Sequence, residues 1–416
     1  GWRLSEEEFM KNVKFVNELK LRLSYGVVGN QSGISRYDGM QLYNFNSVNG
    51  AYIGDGRISY IKTSGEIATM GRSWERIHNY NLGLDFHLFD SRLQGTVELF
   101  MKKNNNMLIA VAYPGILGDK APASNSGKFE AKGYEGTVTW SDKIGKVNYH
   151  VGGTFTYADN KLVDYGGVTV FKSGFVDKQQ GYSLNSVFGL KYCGKIQTEE
   201  QLRKYIYKYY NSNGIGMPKD LRLGDNMYED VNGDGKLDEK DYVYLGSDDP
   251  KISYSFNVGI EWNNFDLSAV FQGTAKRTIF RDESNDNYRI PMRAAHLNST
   301  TQSVGNVWSP DNRDGRYPTY TNISTINNYN YQCSSWSVEN GNYLRLKSLT
   351  LGYNFPASLL SKTKAISRLR IYVSGADLWE VSKINDGWDP EASRKVSGNG
   401  RFPFNRTCTV GLDVTF

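Results

Sequence analysis

Cysteine is scarce. Cys193, Cys333 and Cys408 are the only three in 416 residues, and they lie far apart. Without a CxxC spacing they make neither a disulfide framework nor a zinc site, and the sequence leaves open whether any two pair. Long apolar runs are also missing. Mean hydropathy is −0.54, and no segment approaches the roughly 20 consecutive apolar residues of a membrane-spanning helix. Neither sign of charge dominates: 49 Lys+Arg against 44 Asp+Glu leaves +5, too little for a nucleic-acid footprint. The four histidines, His78, His87, His150 and His296, are scattered. His87 and His150 fall on polar strand faces and are expected as solvated inward residues. No GxSxG elbow, HExxH helix or P-loop is present, and the inward acids Glu98, Glu135 and Glu261 cannot be paired from spacing alone. No enzyme is expected. Gly1 to Met10 carries neither a basic region nor an apolar one, so no signal peptide is expected, and the chain reads as a mature form or a piece of something longer. Internal repeats of 20–50 residues and low-complexity linkers are absent.

What is abundant points to β-structure. Gly numbers 43, Tyr 29, Phe 19 and Trp 8, so aromatics reach 13% while hydrophobics as a whole are only 39%. Disordered chains avoid aromatics. The dominant pattern is alternation over about ten residues. Cys408, Val410, Leu412, Val414 and Phe416 share one face, and Thr407, Thr409, Gly411, Asp413 and Thr415 the other. Tyr254 to Trp262 and Leu82 to Leu88 repeat it, and further strands begin near Leu19, Leu93, Tyr134, Val147, Phe265, Tyr343 and Leu369. Ten strands of about nine to eleven residues are expected, the length a tilted strand needs to cross a bilayer, with another around Met107 to Tyr113. Aromatics close many of them (Tyr25, Phe89, Phe100, Trp140, Tyr157, Trp262, Tyr353, Phe416) as in an interfacial girdle. Leu344 and Leu346 fall out of phase with Leu349, Leu351 and Tyr353, which predicts a bulge or a strand continuing past the bilayer. The connections Asp90-Ser91 and Asn263-Asn264 are tight, while Val27–Tyr80, Tyr157–Ser253 and Gly273–Tyr343 are long. Short turns on one side and long loops on the other define a transmembrane antiparallel β-barrel with extracellular loops. Shorter strands of this pattern would equally suit a soluble sandwich.

Within the loop at about residues 160–252, Thr198-Glu199-Glu200-Gln201 reads as a capping box leading a short helix over Leu202 to Tyr207. The sharpest motif follows at residues 230–241. Asp230, Asn232, Asp234, Asp238 and Asp241 occupy positions 1, 3, 5, 9 and 12 of a twelve-residue calcium loop, with Gly235 at 6 and the Lys236 carbonyl at 7. That spacing wraps hard oxygens round one point and predicts structural Ca2+ bracing the loop. Asp at position 12 shortens the usual Glu arm, and a metal-free Asn/Gly/Asp turn is the alternative. Three aromatic-polar clusters, Trp308-Ser309-Pro310-Asp311-Asn312, Ser335-Trp336 and Asp386-Gly387-Trp388-Asp389-Pro390, suit stacking on a sugar. They make Trp308, Trp336, Trp388 and Asp389 candidate substrate contacts; loops packing on themselves use the same residues and do so more often.

In order along the chain, Leu19 to Gly26 with Gly29-Asn30-Gln31, Trp74-Glu75 with Asn79, Asn81 and Gly83-Leu84-Asp85, and Gly133-Tyr134-Glu135-Gly136 resemble the C-terminal part of the SusC/RagA family, the TonB-dependent outer-membrane transporters of Bacteroidetes. So do Asp230 to Asp241 with Gly246 and Pro250, Tyr343 to Tyr353 with Pro356, Gly375-Ala376-Asp377-Leu378, Gly387 to Glu391, and the terminal Phe416. The resemblance spans essentially the whole chain and is specific in combination.

The resemblance implies a 22-stranded barrel closed by an N-terminal plug. Residues 1–416 would be its C-terminal part, because ten strands alone leave two sheet edges unpaired in lipid. It implies import of glycans across a Gram-negative outer membrane, energised by TonB-ExbB-ExbD, with a SusD-like surface lipoprotein as lid. Oligopeptides are the alternative cargo. A passive porin or adhesin barrel, or a secreted carbohydrate-active enzyme, are the competing classes.

Overall fold

The computed structural model describes residues 1–46, 52–53, 56–57, 60–64, 67–110, 122–166, 173–176, 178–209, 218–280, 303–361, 365–384, 388–392 and 405–416. Alternating sequence becomes one antiparallel sheet of eleven strands in sequential order. They are β1 (Trp2–Arg3), β2 (Val16–Asn30), β3 (Glu75–Leu88), β4 (Leu93–Ala110), β5 (Ala123–Ile144), β6 (Val147–Asp164), β7 (Ile252–Trp262), β8 (Phe265–Ala275), β9 (Tyr343–Asn354), β10 (Arg368–Ser382) and β11 (Thr407–Thr415). Ten of these are the strands the alternation predicts; β1, with two residues, has too little pattern to be read.

Several strands are longer than expected. β5 runs 22 residues, and β4 and β6 run 18 each, where about 9–11 suffice to cross hydrocarbon. Their polar ends, Lys102-Lys103-Asn104 and Asp159-Asn160-Lys161, continue the backbone ladder with side chains suited to water, so the sheet stands beyond the bilayer. The separate strand expected at Met107 is the end of β4, continued through ladder irregularities beside Met107; residues 111–113 lie outside the described residues.

The phase slip at Leu346 is a bulge. Val270 and Phe271 of β8 face Ser348 and Leu346, leaving Lys347 as the extra residue. On the other side, Asp377 and Leu378 of β10 bow out opposite it, with Asp377 left-handed at φ 56. The tight turns also follow the sequence: Phe89, Asp90 and Ser91 take φ 58, 59 and 59, and Asn263 takes φ 53.

One face of the sheet displays apolar side chains to the outside, with Leu23 and Val410 each 77% exposed. Leu82, Leu99, Val138, Val151, Leu351 and Val373 are exposed on the same face. In water such a surface is unfavourable; against lipid it is a barrel's outer wall. The opposite face carries Arg22, Glu98, Thr154, Ser255, Ser268, Thr350 and Thr409. The protein's buried core therefore sits in the loops. Leu190, Ile196, Tyr205, Tyr209, Leu221, Tyr228, Leu237 and Tyr329 form one apolar cluster, drawn from both the Asp164–Ile252 and the Ala275–Tyr343 connections.

Candidate functional site

The two long connections fold on each other into a lobe above the wall. Helix α1 (Glu199–Tyr209) starts where the capping box predicts: the Gln201 amide donates to Thr198 Oγ1 at 3.2 Å. Gln201 itself accepts from the Gln197 amide at 2.8 Å, one residue ahead of the usual partner. From α1, Tyr205 reaches the centre, where its hydroxyl lies 2.7 Å from Tyr329 Oη and accepts from the Tyr228 amide at 2.8 Å. Tyr329 belongs to the second connection, in α2 (Ser324–Asn330). Neighbouring Asn330 donates to buried Asp225 at 2.8 Å. Burial pushes that carboxyl upward against the Asn330 and Arg222 donors. Cys193, Cys333 and Cys408 form no disulfide with one another.

Beside this core lies the 230–241 loop. The Asp230 carboxylate accepts from the amides of Gly233 at 2.7 Å and Gly235 at 2.9 Å. Asp241, fully buried, accepts from Val231 at 2.8 Å and Asp238 at 2.9 Å. Asn232 Oδ1 accepts from the Asp234 amide at 2.8 Å, Asp234 Oδ1 from Lys236 at 2.9 Å, and Asp238 Oδ1 from Lys240 at 2.9 Å. Gly233 and Gly235 take φ 75 and 82, the left-handed turns that bring these side chains round one loop. The oxygens are of the hard kind calcium takes, so the donor chemistry fits, although Asp230 already accepts from the Gly233, Asp234 and Gly235 amides and meets Lys208 at 3.5 Å. Among the described residues, however, no three His, Cys, Asp or Glu converge on one point as a metal cluster. Burial raises the Asp230 carboxyl, but the Gly235 and Gly233 amides and Lys208 outweigh it and hold the group below the ordinary Asp range.

The aromatic candidates separate. Trp308 is 6% exposed, and its indole donates to Gln197 Oε1 at 2.9 Å; it packs into the lobe over Gly224. Trp336 is half-buried edge-on to Tyr331, centroids 5.5 Å apart. Trp388 and Asp389 sit elsewhere, at the mouth of the sheet; Asp386 and Gly387 lie outside the described residues, as does His296.

Asp389, a candidate cargo contact from its aromatic-polar motif, belongs instead to an ion cluster whose pairing no spacing rule predicts. Arg345, 1% exposed, reaches Glu380 at 2.6 Å, Asp389 at 2.8 Å and Glu391 at 3.1 Å. Lys347, brought to the same side by the bulge, meets Asp377 at 2.9 Å and Glu391 at 3.1 Å. Arg277 donates to the Pro390 carbonyl and meets Asp248 at 3.2 Å. The segment Trp388–Ala392 is thus strapped by three cations across the upper inner wall. The phase slip at Leu346 and the motifs around Asp377 and Asp389 lie in it, but none of them signals the ion pairing.

Lower on the inner face two ion clusters span strands. Arg22 holds Asp85 at 2.7 Å and also Glu98, and Arg370 holds Asp266 at 2.6 Å and Asp413 at 3.3 Å. His87 faces Glu18 on this side at 3.9 Å. Around these clusters and up to the strap the inner face is rich in hydroxyl and amide groups, Thr137, Thr139, Thr154, Thr156, Ser253, Ser255, Asn257, Ser268, Ser348 and Thr350, with Glu135 and His150 among them.

A lipid-length antiparallel wall, apolar outside and polar inside, with an elaborate loop lobe at one end, defines a transmembrane β-barrel wall. Residues 6–234, more than half of the chain, match the TonB dependent receptor-like, beta-barrel family. The chain belongs to that family, whose members are outer-membrane transporters rather than enzymes, and it corresponds to a C-terminal portion of larger SusC- and RagA-like receptors of Bacteroidetes-type bacteria. TonB-dependent receptors P3 and P26 of Formosa agariphila are each 28% identical over the whole chain, which covers 41% and 42% of their lengths. TonB-dependent receptor SusC of Bacteroides thetaiotaomicron is 24% identical, with 39% of it covered. The solved RagAB peptide transporter superposes with TM-score 0.76 at 23% identity, over all of this chain and 42% of that one. The chain therefore spans about two-fifths of the relatives it matches.

Proposed function

We propose that this chain is part of the wall and loop lobe of an importer that moves oligosaccharides inward across the outer membrane. In this reading TonB-ExbB-ExbD supplies energy, an N-terminal plug and further strands of the same polypeptide complete the barrel, and a SusD-like lipoprotein covers the lobe. The observation that carries it is the two-faced sheet: apolar where lipid lies, and lined inside by a band of Ser, Thr and Asn. Neutral hydroxyl and amide groups exchange hydrogen bonds with sugar hydroxyls without demanding a charge. The same band would serve a peptide backbone, and the RagAB fold likeness keeps peptide cargo as the second reading. Trp336 and Trp388 remain the aromatic candidates for cargo contact, whereas the buried Trp308 and the ion-paired Asp389 are assigned to bracing the lobe and the strap. The test is the detergent-extracted native complex: co-purification of a surface lipoprotein, and tighter binding of an oligosaccharide panel than of tryptic peptides, support the proposal. Preference for peptides selects the second reading.

The proposal includes structural Ca2+ at residues 230–241, held by Asp230, Asn232, Asp234, Asp238, Asp241 and the Lys236 carbonyl. It is supported by spacing and donor chemistry. Excess chelator should lower the melting temperature of the whole protein, and an unchanged melt rejects calcium.

A further inference from the structure

Glycines recur on the inner face directly beneath long side chains of the next strand. Arg22 is the register partner of Gly83, Phe100 of Gly133, His150 of Gly259, Asn257 of Gly152, and Tyr372 of Gly411. A Cβ on the glycine would collide with the partner, 2.9 Å from Arg22, 2.0 Å from His150, 2.5 Å from Asn257 and 2.2 Å from Tyr372, while at Gly133 it would meet the Tyr157 carbonyl oxygen at 2.0 Å as well as Phe100 at 2.6 Å. Arg370 lies the same way over Gly352, at 2.6 Å. The side chains lie flat on the wall. Any other residue at the glycine would lift them off it, toward the barrel's interior.

Glycine in a strand interior weakens the strand and commonly marks a place where another body approaches closely. Cross-strand packing of aromatics over glycine recovers part of that loss, and it occurs on the outer face too, where Phe86 covers Gly95 and Tyr254 covers Gly273. Phe100 apart, the inner set differs in kind. Arg22, His150, Asn257, Tyr372 and Arg370 are polar or charged, and facing an open water-filled lumen they would gain hydration by projecting into it. Arg22 and Arg370 are moreover tied sideways, to Asp85 and Asp266. The result is an inner wall of low relief.

We propose that these glycines are seats that keep the inner wall flush against a close-fitting body. The occupant is the plug segment of the same polypeptide, since the chain spans only 42% of the solved relative. The inference rests on the transporter reading given above. Substituting a seat lifts its partner into the plug and loosens the fit.

The experiment uses the full-length protein in planar lipid bilayers, with potassium chloride conductance followed as urea is raised. Wild type is expected to stay closed until urea unfolds the plug. Gly259→Ala and, independently, Gly411→Ala should open at lower urea, with the heat-resistant barrel band on gels unchanged. Trimming the seated partner should restore the wild-type midpoint, with His150→Ala in the first background and Tyr372→Ala in the second. A midpoint equal to wild type in both glycine variants overturns the proposal and leaves the transporter reading standing. So does loss of the heat-resistant band, which would assign the glycines to the wall's own folding, or failure of both partner trims. Wild-type channels that conduct before urea overturn the plugged-transporter reading, and the proposal with it.

Discussion

Arg345 is almost wholly removed from solvent yet faces three carboxylates, each about a quarter exposed (26%, 29% and 26%). Removing one member of such a group is costly because its partners stay behind unneutralised. Arg345→Met should cost about 3 kcal/mol, the lower end for a buried pair given that residual exposure. A urea titration of the full-length protein reads it, and Glu380→Gln added to that variant should recover part of the loss. Asp230 sets a pH dependence. Its carboxyl is held below the ordinary Asp value, so its contribution is full above about pH 4 and is lost as pH falls through the lowered folded value. The lobe's acid transition, followed by tryptophan fluorescence, should therefore flatten in Asp230→Asn, and an identical transition in both proteins contradicts this. Tyr205→Phe leaves the buried Tyr228 amide without its acceptor, an expected loss of about 1–3 kcal/mol confined to the lobe.

At the scale of elements, local pattern decided what could be read. Ten wall strands were legible because one face is lipid and the other polar, so every residue from Tyr254 to Trp262 declares its side. The turn at Asp90-Ser91 and the helix start at Thr198 were legible from turn and cap chemistry. Strand ends were not: past Phe100 the chain pairs on through Lys102, Lys103 and Asn104, and a ladder between polar residues leaves no period to find. Long-range association was equally silent. Tyr205 and Tyr329 meet from separate connections, and Arg345 on β9 comes together with Asp389 and Arg277 from two more segments, at sequence separations no spacing rule covers. Trp308 shows the limit most plainly, since the same indole suits a sugar and a loop core, and only the fold places it in the core.

As a whole, the molecule inverts the usual globular arrangement, with its buried core in the loops and its sheet bare on both faces. Substitutions should sort accordingly. Val151→Arg, on the outer face, should cost about 2–4 kcal/mol in the bilayer, whereas Thr154→Arg on the inner face should fold normally in a refolding titration into lipid. The account stands most directly on which face of β6 meets hydrocarbon. Single spin labels at His150, Val151, Thr154 and Phe155, placed in the full-length protein with Cys193, Cys333 and Cys408 replaced, would measure it in lipid. Val151 and Phe155 should be relaxed by oxygen and shielded from an aqueous nickel reagent, while His150 and Thr154 should not show that lipid signature. Equal access of the nickel reagent to all four sites would contradict a membrane-spanning wall.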